Sequence, residues 1–375
     1  MGLSWMRVSI DVFDWNEVED TSYSEHYVYP EQDRAVTILN EKGIKVMHTL
    51  VYWDEEIPVK LEADYSRFKT EEEIERYLDY VKFVASHFKG RIEYYELLNE
   101  PDIGKGEGDQ QYVESDDYIN LATRTIPVIR QEDPDAKIVV GAVSPFTEPG
   151  SRDYFFNILE SDVMPLVDGV SWHFGSGSSP EYRAEYYYDY PNLIQEIKDT
   201  ASANGFEGEY IAEELHWRTS ESAHPSEYDE YTETAAAKYL IRGTVMVRGM
   251  DCTTGLAASN RKQVIVTQNL ATAMAGAEPM DLPMEIESGA TDMRSYAFSL
   301  PGGERMVALW TDGVAVDEDP GINANLTISD VTAQEVVGTD TLNDYQQNII
   351  ISNENGDLVI QDLIVRDYPL ILRVK

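Results

Sequence analysis

Between residues 5 and 257, short apolar runs of strand length alternate with longer stretches of helical period, and that alternation leaves the chain few folds to choose from. Strands are predicted over 5–13, 44–52, 92–99, 137–142, 168–173, 209–214 and 247–257. The clearest helix between them is TEEEIERYLDYVKFVASHF, residues 70–88, where Ile74, Leu78, Val81, Val84 and Phe88 recur at helical spacing. Thr70 followed three residues later by Glu73 makes a capping box, and Gly90 closes the segment. Residues 115–134 form a second helix, stopped by Pro134. Strand and helix in turn is the pattern of a parallel α/β fold, and at this length a TIM-type (β/α)8 barrel is the expectation.

After about Asn269 the texture changes. RSYAFSLPGGERMVALWTDG reads as two strands joined at Pro301-Gly302-Gly303, and further strands follow with turns at Gly338 and Asn355-Gly356. This indicates an antiparallel β-sandwich over 269–375, after a barrel domain over 1–268. SNENGD has acidic character but lacks the ligand spacing of a calcium loop, and reads as a hairpin turn.

Charge narrows the partners. The chain of 375 residues holds 69 Asp plus Glu against 29 Lys plus Arg, a formal net charge of −40. Such a surface repels nucleic acid and anionic membranes. The charges are dispersed, as in a solvated acidic coat suited to a salt-rich or acid-tolerant setting. No signal-peptide pattern stands at the start and no apolar run is long enough to span a bilayer. Localisation stays open, with a lean toward a secreted protein whose leader lies outside the sequence. Cys252 is the one cysteine and the six histidines are scattered, so neither a metal centre nor a cofactor is expected.

The stretch YYELLNEPDI, residues 94–103, ends a buried strand in a carboxylate, Glu100. At the carboxyl end of a barrel strand, side chains face the mouth where substrate binds. Cleaving a glycosidic bond takes two carboxyl groups, one to protonate the leaving oxygen and one to attack the sugar or activate water. GEYIAEELHW, residues 208–217, offers Glu213 and Glu214 at the end of another strand. Neighbours on a strand face opposite sides, so one of the pair enters the mouth.

Asn99-Glu100-Pro101 resembles the acid/base motif of the retaining (β/α)8 glycoside hydrolase clan, carried there on strand 4, and EELHW resembles its nucleophile strand 7, commonly Thr-Glu-x-Gly-Trp. The resemblance implies Glu100 as acid/base and Glu214 as nucleophile, with Glu213 where the family often has Thr. It implies carboxyl groups about 5–5.5 Å apart. LSWMRVSID resembles the clan's second strand, whose Arg sits beneath the nucleophile and is matched by Arg7. Alternation places Arg7 with Ser9 and Asp11, inside the barrel, and leaves an ion pair with Glu96 or Asp11 as the structural alternative. DGVSWHFG resembles the sixth strand, with His173 matched and Gly175 where the family has Tyr. The family counterpart of Asn99 bonds the sugar 2-hydroxyl. Asn99, Arg7, His173 and Trp217 are thus the expected substrate-binding residues, with Tyr52, Trp53 and Trp172 as further aromatics near the mouth.

The sandwich loosely resembles that of the xylosidase and iduronidase family. Both motifs fall one strand early, so the family's first barrel strand is expected to be missing, and an open edge would invite association with a second copy. The reading is a retaining glycoside hydrolase acting on an oligo- or polysaccharide. Its rival is a non-catalytic carbohydrate-binding or scaffold protein on a degenerate barrel.

Overall fold

Alternating strand and helix is the course the backbone takes. The structure, a computed structural model, describes residues 4–10, 12–14, 26–52, 66–104, 112–175, 178–219 and 231–375. The chain divides into two units, Leu3–Phe174 with Glu196–Glu213, and Gly175–Gln195 with Glu214–Lys375.

The first unit runs through β1 (Trp5–Val8), a small ladder of β2 (Val12–Asp14) and β3 (His26–Val28), α1 (Pro30–Glu41), β4 (Lys45–Leu50), α2 (Glu71–His87), β5 (Tyr94–Leu97), α3 (Ser115–Glu132), β6 (Lys137–Val143), α4 (Ser151–Leu159) and β7 (Gly169–His173). Helix α5 (Pro180–Ala203) and strand β8 (Glu209–Leu215) carry the chain between the units. Strands β1, β4, β5, β6, β7 and β8 pair in that order, each parallel to the next. With β9 (Thr253–Leu256), which follows β8, the parallel sheet has seven strands among the described residues.

Sequence sets the helix ends. Thr70 caps α2 by accepting from the Glu73 amide at 3.3 Å, while the Glu73 carboxylate reaches back to the Phe68 amide at 2.6 Å. Strand alternation then sorts the inner face into layers. Trp5, Met47, Tyr94, Val139 and Ile211 form one apolar layer. Two residues further along their strands stand Arg7, Thr49, Glu96 and Glu213. The layer above the apolar floor is therefore polar.

In the second unit, α6 (Glu233–Gly249) and α7 (Arg261–Ala273) precede an antiparallel pair of sheets. The larger has the order β10 (Glu278–Pro279), β12 (Met293–Ser299), β13 (Arg305–Thr311), β19 (Leu370–Val374), β15 (Val336–Asp340), β16 (Tyr345–Asn348). The smaller has the order β11 (Met284–Ser288), β14 (Ile322–Ile328), β18 (Asp357–Val365), β17 (Ser352–Glu354). Val307 and Leu309 of β13 join Leu326, Ile328 and Ile360 in the core between the sheets. Met306, Ala308 and Trp310 turn to the other side, against Ile241, Val245, Val266 and Leu270 of the two helices. A strand covered on both faces explains the unbroken apolar run MVALW.

Two local expectations are corrected. The strand predicted over 247–257 is only Thr253–Leu256, because α6 continues to Gly249. Every residue from Ala235 to Val247 is buried, so this helix has no polar face to reveal its period. Gly338 lies inside β15 rather than in a turn; a Cβ there would meet the Ile349 side chain at 2.9 Å. Helix α3 runs Ser115–Glu132 with Pro127 inside it, within the predicted 115–134. The turns at Gly302-Gly303 and Asn355-Gly356 are as expected, all four residues with positive φ.

Two buried groups generate predictions. Lys238 of α6, 1% exposed, donates to the Asp367 carboxylate at 2.6 Å and to the Val316 carbonyl, and Asp367 also accepts from the Val316 amide at 2.8 Å. Lys238→Met strands a buried carboxylate and is expected to cost about 3–5 kcal/mol. Urea unfolding should show that loss, and Asp367→Asn in the same chain should recover part of it. His48 on β4 is fully buried, with Nδ1 3.3 Å from the Val8 carbonyl, and burial lowers its pKa from 6.5 to about 4. The unfolded chain takes up this proton first, so stability should fall as pH drops from 6.5 to about 4, by about 3 kcal/mol for this group. His48→Gln should flatten that part of the stability–pH curve in denaturant titrations; an unchanged slope would exclude His48 as its source.

Candidate active site

The polar layer is organised around one guanidinium. Arg7 reaches Glu96 Oε2 from Nε at 2.6 Å and Glu213 Oε2 at 2.8 Å, and donates from Nη2 to Asn99 Oδ1 at 2.8 Å. Glu96 and Glu213 are both 0% exposed. Glu96 accepts two further bonds, from Thr49 Oγ1 at 3.0 Å and Ser171 Oγ at 2.7 Å. Four strands, β1, β4, β5 and β7, thus converge on this one carboxylate. Charges buried this completely persist only when paired and hydrogen-bonded.

Above this layer the strand ends leave ordinary β geometry. Leu98, Glu100, Ala142 and Glu214 all have positive φ, at 61°, 42°, 46° and 51°. Such conformations cost roughly 1–3 kcal/mol each for residues other than glycine and gather at functional sites. On β6 the distortion is a bulge, with a register shift between Gly141 and Val143. Gly141 has φ 113°, and a Cβ there would lie 2.2 Å from the Ser171 carbonyl, so only glycine fits. The bulge aims the Ala142 carbonyl at the Glu100 amide, 2.8 Å away, while Ser171 Oγ accepts from the Ala142 amide at 3.0 Å.

Glu100 is thereby fixed at its backbone, and its side chain is 23% exposed. His173, 1% exposed at the end of β7, places Nδ1 2.8 Å from Glu100 Oε1. An imidazole at this distance can give a hydrogen bond to a carboxylate or take one from a carboxylic acid, which suits a group that changes protonation state. Asp102 secures the segment beyond, accepting from the Ser144 amide at 2.9 Å and the Ser144 hydroxyl at 2.5 Å.

Strand β8 continues from Glu213, paired opposite His173, to Glu214. With φ at 51°, Glu214 departs from strict alternation and is partly exposed where Glu213 is buried. Its carbonyl lies 2.8 Å from His216 Nδ1.

Of the residues singled out in the sequence, Arg7 and Asn99 are in direct contact, as are His173 and Glu100. Arg7 makes an ion pair with Glu96, one of the two partners of the structural alternative, and a second with Glu213. Trp217 is fully buried in the second unit, its indole N–H donating to the Ser178 carbonyl at 2.9 Å and its ring stacked on Tyr239. Trp172 is likewise buried, against Phe155, and Tyr52 stacks on Tyr80. Trp53 and Asp11 lie outside the described residues. The network also includes Thr49, Ser171 and Asp102, which sequence reasoning passed over. Glu96 gave one signal, a carboxylate in the middle of an apolar strand.

Comparison with known proteins follows the same line. Residues 24–113 match the sequence family described as Glycosyl hydrolase family 1. Over 148 residues, 37% of this chain, the sequence is 30% identical to the endo-1,4-beta-xylanase A of Thermotoga neapolitana, of which that stretch is 14%. The chain thus spans only a small part of the length of this relative. A family 39 glycoside hydrolase from the gut symbiont Bacteroides cellulosilyticus WH2 shares the fold with TM-score 0.68 and 14% identity, over 99% of this chain and 75% of that one. A GH30 endoxylanase from Clostridium papyrosolvens C71 does so with TM-score 0.63 and 13% identity, over 99% and 89%. The chain thus shares with these glycoside hydrolases the fold, a barrel-type parallel sheet followed by a C-terminal pair of antiparallel sheets, and its sequence is similar to the family 1 model over 24–113.

Proposed function

We propose that the protein is a retaining glycoside hydrolase in which Glu100 is the acid/base and Glu214 the nucleophile. In the first step Glu214 attacks the anomeric carbon, the glycosidic C–O bond breaks, and Glu100 gives its proton to the departing oxygen. In the second step Glu100, now a carboxylate, takes a proton from water, whose oxygen displaces Glu214 and frees the sugar. His173 holds the Glu100 carboxyl group through both steps, and Asn99 takes the sugar 2-hydroxyl. The observation that carries this reading is the strained end of β5, which sets Glu100 against a buried histidine. Glu214, with the same unusual backbone at the carboxyl end of β8, is the matching second carboxylate. The partial match to an endo-1,4-beta-xylanase makes β-1,4-linked xylan and aryl xylosides the first substrates to try. A non-catalytic carbohydrate-binding role is the second reading, favoured by Gly175 at the position of the family's Tyr.

Turnover of aryl glycosides separates the two. Glu100→Ala is expected to lower kcat/KM by roughly 10²–10⁴-fold on substrates with poor leaving groups, and Glu214→Ala to abolish turnover. Azide should restore part of the Glu214→Ala activity with a glycosyl azide as product. Wild-type protein that binds xylo-oligosaccharides without cleaving any glycoside would favour the binding role. His173→Ala should lower kcat more than it raises KM, and His173→Asn, which keeps a donor toward Glu100, should recover part of the loss; equal kinetics for the two would remove His173 from the site.

A further inference from the structure

We propose that Glu96 is a positioning residue, acting through Arg7 to fix the amide of Asn99; this deepens the glycosidase reading above and rests on it. Glu96 is fully buried, two residues before the strained Leu98 and four before Glu100. Its Oε1 accepts from Ser171, and its Oε2 from Thr49 and Arg7 Nε, so three other strands, β7, β4 and β1, fix the carboxylate plane. A guanidinium is planar and rigid, and holding its Nε fixes the direction of Nη2. That nitrogen lies 2.8 Å from Asn99 Oδ1. Because a guanidinium only donates, Asn99 must turn its carbonyl oxygen to Arg7, which directs its Nδ2 donors the other way. Asn99 therefore meets a sugar hydroxyl as a donor, and the hydroxyl is read by its acceptor oxygen.

Neutralising Arg7 alone does not explain Glu96. Glu213 already lies 2.8 Å from the same guanidinium, and a second buried carboxylate adds desolvation cost. What Glu96 adds is geometry: it ties Arg7 to β4 and β7, and the bond to Asn99 depends on that orientation.

The test compares wild type, Glu96→Gln, Thr49→Val, Asn99→Ala and the Glu96→Gln/Asn99→Ala double variant on a nitrophenyl glycoside and its 2-deoxy analogue. Glu96→Gln should reduce the preference for the 2-hydroxyl substrate by roughly tenfold or more, toward that of Asn99→Ala, and the double variant should be no worse than Asn99→Ala alone. Thr49→Val, which removes one hydroxyl from Glu96 without changing side-chain volume, should show a smaller loss of the same kind and carries the test should Glu96→Gln not fold. A folded Glu96→Gln with wild-type preference, or losses that multiply in the double variant, would overturn the proposal. Inactivity of the wild type on every glycoside would sink the glycosidase reading instead. The positioning role is then read from the Asn99 side-chain amide resonance, identified by its absence in Asn99→Ala. It should move in Glu96→Gln and Thr49→Val, and an unmoved resonance would exclude the role.

Discussion

Arg7, held between the carboxylates of Glu96 and Glu213, is the interaction on which the first unit's inner layer depends. Taking one cation and two anions out of water is costly, and the cost is tolerable only where each oxygen finds a donor. Strands β1, β5 and β8 must keep their registers for these distances to hold, because slipping one residue would turn each side chain to the opposite face. The apolar layer of Trp5, Met47, Tyr94, Val139 and Ile211 below supplies the packing that keeps those registers. Polar specificity and hydrophobic burial are thus consecutive rungs of the same strands.

Backbone strain is concentrated where that layer meets the sheet's carboxyl end. Of the four residues with positive φ there, Ala142 and Glu214 lie within β6 and β8 and Leu98 directly follows β5, while Glu100 stands three residues past the end of β5. The Gly141 bulge shows how one is held: by shifting β6, it brings the Ala142 carbonyl to the Glu100 amide. A backbone bond of this kind fixes the root of a side chain more firmly than side-chain packing can, because it leaves no rotamer to choose.

In the second unit a comparable arrangement serves stability. Lys238 and Arg242 of one helix are each about 1% exposed and bind carbonyls and carboxylates of the sheet segments around Gly313 and Asp367. A helix buried on all sides still carries two cations, and its period is invisible to any reading that expects a polar face. That is why 247–249 read as strand. Gly338 misled for a related reason, since glycine in a strand marks close approach as well as a turn.

The order of strands and helices, the hairpins at Gly302 and Asn355-Gly356, the inward face of Arg7 and the placement of Asn99 and Glu100 at a strand's carboxyl end were legible because each rests on local spacing or on a short motif. The contact of His173 with Glu100 was not, nor the joining of Glu96 to Thr49 and Ser171, because those partners lie 47 to 75 residues apart and meet only when strands pair. Trp217 shows the limit from the other side: its motif suggests a place at the mouth, and packing against Tyr239 buries it. Local sequence determines which face of a strand a residue takes; only the assembled sheet decides what it finds there.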